Sequence, residues 1–422
     1  MNLKDDTVNI LKEAVNSAKP NNIFDDVDFD GRYLNVCGDS YDLNDKSDVY
    51  VLGSGKASVK MAEKLNKILG TKISGGLIVS NYHEDIEGVG VLKSSHPLPD
   101  ENSVEAGIKM LEFAESCKES DFVIYLLSGG TSSLLEYPAE GISISDINTA
   151  TDILMKAGAD ITELNTIRKE MSEIKGGRLA THLKCEGVVL VLSDVVGDDL
   201  NYIGSAPLYY DSSSDISTDI IIDKYNLYNK LPKNVIERLK FEGNTESRRS
   251  LKHYILGNNN RALLKAAEKA EDLGYNPVIL TSLLQGEASA AAGFVVSLLK
   301  YHSSHEFLSK PLCFIAGGET TVTVKGDGKG GRNQELALVG LIEMAGLENV
   351  SLGCIGTDGI DGNSDAAGAV VMPELLDKTS VDELQNFLKN NDSYTILKKL
   401  DALIKTGNTG TNVCDVYIGL VG

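Results

Sequence analysis

A few short segments of the chain gather residue types that hold anions or move protons. Gly53-Ser54-Gly55-Lys56 follows an apolar run and opens a helical pattern. Backbone N–H groups at a helix start favour anions, glycine admits a phosphate or carboxylate close to the chain, and Lys56 adds a full positive charge. The segment lacks the Gly-x-x-x-x-Gly-Lys-Ser/Thr spacing of a P-loop and the third glycine of a dinucleotide fingerprint. Taken alone, a tight turn with a solvated lysine is the simpler reading. Ser128-Gly129-Gly130-Thr131 is a second turn rich in N–H and hydroxyl donors, suited to an oxyanion or phosphate. The Gly-x-Ser-x-Gly elbow of hydrolases is absent, so Ser128 is not read as a nucleophile.

Residues 168–178 carry four cations against two glutamates, a local excess of +2. Arg168 and Lys175 are seven apart and would share a face of a continuous helix, forming a clamp for a carboxylate or phosphate. A salt-bridged surface helix fits the spacing equally. Asp194, Asp198 and Asp199 follow an apolar run. Carboxylates so placed suit Mg²⁺, which takes one or two of them plus substrate phosphates, and Asp194 is also placed to act as a base. An Asp-rich turn is the plain alternative. Residues 325–335 (KGDGKGGRNQE) bring Lys325, Lys329, Arg332 and Asn333 from a glycine-saturated loop into a helix start. So mobile a loop is entropically costly to order, which suggests that it wraps something small and anionic. Arg332 is placed to serve as a transition-state cation. Asp358, in residues 357–368 (TDGIDGNSDAAG), belongs to a second acidic loop; the bidentate Glu of a calcium loop is missing.

Alternating strands and helices must carry these turns. Residues 48–52, 77–79, 122–127, 188–192, 278–280 and 312–315 read as buried strands. Residues 103–115, 145–156, 260–273, 288–301 and 333–345 keep helical spacing. The alternation predicts an α/β fold with a largely parallel sheet. Ligands of such sheets sit beyond the carboxyl ends of strands, where these glycine-rich turns fall. Residues 211–250 read as a surface excursion or small helical insert, with a lid as one option. The expected domains are residues 1–250 and 306–422, with 251–305 open to returning to the first.

Composition narrows the partners. The chain has 422 residues, and 40 Lys+Arg against 61 Asp+Glu give a formal charge of −21. That excludes the basic footprint of a nucleic-acid binder and a polybasic membrane patch. Hydrophobic residues make up 42%, as in ordinary globular proteins, and the length predicts two or three domains. The 41 glycines against 9 prolines fit tight turns and close ligand approach. The six cysteines form no Cys-x-x-Cys pair, and the six histidines show no zinc spacing. No secretory leader and no apolar run of about 20 residues is visible, so a cytoplasmic protein is expected. A homodimer is possible.

The motifs together resemble the glycerate 2-kinase family, whose C-terminal module is the MOFRL domain. The matching segments are residues 53–57 (GSGKA), 96–100 (HPLPD), 128–135 (SGGTSSLL), 164–178 (LNTIRKEMSEIKGGR) and 193–199 (SDVVGDD). Residues 317–321 (GGETT), 328–335 (GKGGRNQE), 356–368 (GTDGIDGNSDAAG) and 409–413 (TGTNV) continue the series over nearly the whole chain. The resemblance implies ATP-dependent phosphorylation of the 2-hydroxyl of D-glycerate. It implies an N-terminal Rossmann-like parallel sheet, a smaller C-terminal MOFRL α/β domain, and an active site in the cleft between them. The family's cations fall on Lys56 and Arg332. In that setting Asp194 and Asp358 are the expected Mg²⁺ holders, with Asp194 or a neighbouring carboxylate as base. Gly53, Ser54, Gly55, Ser128, Gly129, Gly130, Arg168, Lys175, Lys329 and Asn333 are expected to bind substrate or phosphate, with Arg168 or Lys175 on the glycerate carboxylate. Two other readings stay open: an NAD(P)H-dependent hydroxypyruvate reductase and a binding homologue without turnover. The chain departs from the family at Ala206 and Leu208, where Gly and Thr are usual, and more mildly at Leu98 and Cys414.

Overall fold

Continuous apolar runs become strands buried on both faces, and amphipathic helices cover them. The computed structural model describes residues 2–211, 216–240, 249–305 and 307–422. By its internal contacts the chain divides into two compact units. One holds Phe24–Ser193 and Asp198–Leu256; the other holds Met1–Ile23, Asp194–Gly197 and Gly257–Gly422.

The first unit begins with a small antiparallel sheet of β1 (Val27–Phe29), β2 (Tyr33–Val36) and β3 (Asp39–Asp42). Its main sheet contains β4 (Val49–Ser54), β5 (Gly75–Ser80), β6 (Gly90–Lys93), β7 (Phe122–Ser128), β8 (Glu186–Leu192) and β9 (Lys252–Gly257). The order is β6-β5-β4-β7-β8-β9, and the pairs from β6 through β8 are parallel. This is the doubly wound, Rossmann-like order, with its reversal between β4 and β7. The helix Ser58–Leu69 packs through Val59, Met61, Ala62, Leu65 and Leu69, spaced for one face. The helices Thr218–Tyr225 and Lys233–Leu239 bury Ile221, Ile222, Val235 and Leu239 in one cluster with Ile147, Leu154 and Ile167. The described part of the 211–250 excursion is therefore core rather than lid. Residues 212–215 and 241–248 lie outside the described residues.

The second unit has a mixed sheet, not a parallel one. It holds β10 (Asn276–Glu287), β11 (Leu312–Thr321), β12 (Val350–Gly356), β13 (Gly368–Val371), β14 (Leu403–Ile404) and β15 (Asp415–Val421), in the order β10-β11-β15-β12-β13-β14. Only β10 and β11 pair in parallel. The last strand enters between β11 and β12, antiparallel to both. The helix Ala288–Ser304 makes the crossover from β10 to β11, and the helix Arg332–Glu343 packs Leu336, Leu338 and Leu341 into the same core.

The division differs from the expected boundaries at 250 and 306. Residues 257–305 supply β10 and two helices to the mixed sheet. The helix Leu3–Ser17 also belongs there: Thr7 Oγ1 lies 2.6 Å from Ser351 Oγ, and Tyr275 OH donates to Asp6 (2.8 Å). Gly353 makes that packing possible, because a Cβ there would lie 2.4 Å from Thr7 Cγ2. Among the described residues no helix is long and apolar enough to cross a membrane.

Candidate functional site

In the doubly wound unit, the two expected anion turns leave adjacent strands at the switch point. Lys56 N donates to Gly129 O (2.9 Å), and Ala57 N donates to Ser128 Oγ (3.1 Å). Gly55 has φ +126°, and a Cβ there would lie 2.1 Å from Ser128 Oγ, so glycine is required. Ser54 is buried and bonds Tyr125 OH (2.7 Å) and Thr131 Oγ1 (3.1 Å). Gly53, Ser54, Gly55 and Ser128 thus build the turn, while Gly129 and Gly130 are half-buried and Lys56 is exposed. Among the described residues Lys56 makes no ion pair. A Cβ on Gly130 would lie 3.1 Å from both Lys56 Cγ and His96 Cδ2, so His96 shares the turn. Burial, and then the Lys56 charge, hold the His96 imidazole below its ordinary pKa.

The basic island does not form one helix face. The helix Ile161–Glu170, opened by an Asp160–Glu163 capping box, stops before Lys175. Lys175 is 1% exposed and ion-paired to Glu136, which also accepts from Ser172 Oγ (2.5 Å). Burial pulls its ammonium below the ordinary pKa, against the pull of Glu136. Lys175 is thus closed on Glu136 within the core rather than presented at a surface. Arg168 differs: it is largely buried, its pKa is lowered by burial against Glu136, and its Nε has no hydrogen-bond partner among the described residues. Such an atom calls for a partner.

In the mixed-sheet unit, the glycine-rich loop delivers Arg332 to the first turn of its helix. Arg332 Nε and Nη2 bond Asp415 Oδ2 and Oδ1 (2.6 and 3.1 Å), and Nη1 pairs with Glu319 Oε1 (2.8 Å). Asp415 is fully buried at the start of β15, opposite Gly318 on β11 and Gly356 on β12. Burial raises its carboxyl pKa, against Arg332, Asn333 and Tyr417. For Arg332, burial lowers the pKa but the pairing with Asp415 outweighs it, so the guanidinium is held above its ordinary value.

The helix start itself is occupied by the chain. Asp361, 2% exposed, accepts from Asn333 N (3.1 Å) and Gln334 N (2.9 Å), capping the first turn. Asn333 is buried, with its amide on Asp415 (3.0 Å) and Asp361 (3.3 Å). Its side-chain amide holds these carboxylates in place. Lys329 lies over the Tyr394 ring, 4.1 Å from its centroid.

The expected metal carboxylates fall in the same neighbourhood. A Cβ on Gly356 would lie 3.3 Å from Asp358 Oδ1, 3.4 Å from Asn333 Nδ2 and 3.5 Å from Asp415 Oδ1. Cys414 Sγ is 3.2 Å from Asp194 O and 4.0 Å from Glu319 Oε2. Asp194, Glu319, Asp358, Asp415 and Arg332 are therefore close neighbours within one unit. Among the described residues no group of three or more His, Cys, Asp or Glu is placed to hold a metal alone. A set of hard oxygens short of a full cage fits Mg²⁺, whose remaining ligands are phosphates and water.

Comparison with known proteins settles the family. Residues 6–240 match a domain of unknown function, DUF4147, and residues 312–415 match the MOFRL family. The D-glycerate 2-kinase of Thermotoga maritima is 41% identical over 381 residues, which cover 88% of this chain and 90% of that one. The chain belongs to the glycerate 2-kinase family. A crystal structure of glycerate kinase from Thermotoga maritima matches with a TM-score of 0.88 at 36% identity, covering 100% of this chain and 99% of that one. A relative from Agrobacterium vitis, 36% identical over 384 residues (88% of this chain, 99% of that one), carries a hydroxypyruvate reductase name.

Four neighbours of the glycerate 2-kinase motifs are not marked as site residues by the sequence alone: Glu319, Asp361, Asp415 and His96. Glu319 and His96 lie inside the GGETT and HPLPD segments, so a signal was present. Asp415 follows the TGTNV segment and Asp361 looks like one more loop acid, so neither is marked by spacing alone.

Proposed function

We propose that the protein is a glycerate 2-kinase, transferring the γ-phosphoryl group of ATP to the 2-hydroxyl of D-glycerate. The observation that carries this reading is the Arg332 cluster, a guanidinium locked by the buried Asp415 and paired with Glu319, with Asp194 and Asp358 near by in the same unit. Phosphoryl transfer needs positioning and charge stabilisation more than covalent help, and preorganised cations supply that.

In this reading Arg332 and Lys56 neutralise charge spreading over the transferred group. Asp194 takes the proton of the 2-hydroxyl. Arg168, with its unpartnered buried Nε, binds the glycerate carboxylate. Asp194 and Asp358 would hold Mg²⁺, which shields phosphate charge when bound. Gly129 and Gly130 lend backbone donors beside Lys56. The turn after β4 lacks the third glycine of a dinucleotide site, which weighs against a reductase. Small-molecule partners and a cytoplasmic setting accompany this assignment.

The test is steady-state turnover with ATP, Mg²⁺ and D-glycerate, beside NADH oxidation with hydroxypyruvate. Phosphoryl transfer without NADH oxidation is expected. Hydroxypyruvate-dependent NADH loss with no phosphoglycerate would overturn the reading.

A further inference from the structure

Arg332 is held by two carboxylates of different character. Asp415 is fully buried and takes the Nε/Nη2 edge with two bonds; Glu319 has 45% of its side chain exposed and takes only Nη1. A buried, hydrogen-bonded pair is costly to break, whereas a solvent-exposed pair opens easily. A guanidinium has five N–H donors. Among the described residues two of them bond Asp415, and Nη1 lies 2.8 Å from Glu319 Oε1, so the donors not taken by Asp415 sit on Nη1 and Nη2. An incoming anion can therefore reach only the edge that Glu319 shares. Among the described residues the second oxygen of Glu319 meets the Cys414 thiol at 4.0 Å.

We propose that Glu319 is a competing carboxylate: it contends with the anionic group of the substrate for the outer edge of Arg332 and so sets how tightly that edge binds anions. The inference rests on Arg332 being the anion-binding cation of the proposed function, but not on which alcohol is phosphorylated. Asp415 fixes where the guanidinium points, and Glu319 tunes what it accepts. Competition of this kind weakens every anion at the site, and a ligand with two acceptor oxygens, meeting Nη1 and Nη2 together, offsets it better than a single-point one. It selects phosphates over singly charged, single-point ligands.

The probe is inorganic pyrophosphate, titrated calorimetrically with EDTA present so that no divalent cation takes part. Glu319→Gln keeps the side-chain shape and removes the competing charge. Its dissociation constant for pyrophosphate should fall about tenfold relative to wild type, the scale of an opened exposed pair plus relieved repulsion. The same substitution is repeated in an Arg332→Gln/Asp415→Asn background, which leaves no lone buried charge, and melting curves check that each variant folds. There Glu319→Gln should change affinity little. Unchanged or weaker binding by Glu319→Gln overturns the proposal, as does equal tightening without Arg332, which would mean a general field effect. Lack of glycerate phosphorylation by the wild type would sink the functional reading and leave this titration intact.

Discussion

Lys175 and Arg332 look alike in the sequence: each is a cation beside paired glycines, in a basic island of an acidic chain. Their fates differ. Lys175 is 1% exposed and closed on Glu136, whereas Arg332 keeps 34% of its side chain exposed while Asp415 anchors it from below. The first pair is a piece of core; the second leaves part of its cation facing outward. A carboxylate partner does not separate a structural cation from a reactive one. What separates them is whether an edge of the cation still faces outward once its partner is satisfied.

The largest effect should come from breaking the buried pair. Lys175→Met leaves Glu136 charged and enclosed, with an expected loss of about 3–5 kcal/mol in denaturant unfolding. Activity per folded molecule should stay near wild type. A fall in kcat with unchanged stability would return Lys175 to the substrate side. Lys56→Ala is the mirror case. Lys56 is exposed and unpaired among the described residues, so its melting temperature should hold while kcat falls by about 10²–10³, the scale of a lost transition-state donor. Near-normal turnover would remove it from the reaction.

Smaller effects test the scaffold beside Lys175. His253 is largely buried against Tyr209, and burial holds its imidazole down at about 4, against its backbone bond to Leu251. Because the folded pKa lies below the unfolded one, the unfolded chain binds more protons between them. This stability is complete above about pH 6.5 and declines as pH falls toward 4, by about 3 kcal/mol in all. Urea unfolding from pH 7 to 4 should show that slope, and His253→Gln should flatten it. Smallest is Ala206→Gly. Ala206 sits at φ +56° and accepts from Gly177 N (2.7 Å), so glycine should relieve about 1 kcal/mol of left-handed strain. No gain in melting temperature would contradict that account. Ala206 and Leu208 are both fully buried, so their side chains pack in the interior.

Much of this is legible in the sequence. The apolar runs at β4, β5, β7, β8 and β11 became buried strands, because a strand buried on both faces needs an unbroken apolar sequence, whereas the run at 278–280 became the edge strand β10, which is only partly buried. The Gly53–Lys56 and Ser128–Thr131 turns were marked by glycine, and the sheet order placed them at its reversal. What stayed hidden depends on distant residues. Glu136 lies 39 residues from Lys175, and Asp415 lies 83 from Arg332, so no local spacing reveals that one cation is sealed and the other anchored. The placement of β15 between β11 and β12 was equally hidden, since an apolar strand reads the same in parallel and antiparallel pairing. The helix Leu3–Ser17 joins the mixed sheet through Thr7 and Gly353, a contact that spans most of the chain.

The central claim is that the chain phosphorylates the 2-hydroxyl of D-glycerate, and proton-coupled ³¹P NMR of the product tests it most directly. Phosphate on C2 is split by a single methine proton into a doublet, and that is the expected signal. A triplet, from phosphate on the C3 methylene, or no new phosphoester resonance at all, would contradict the account.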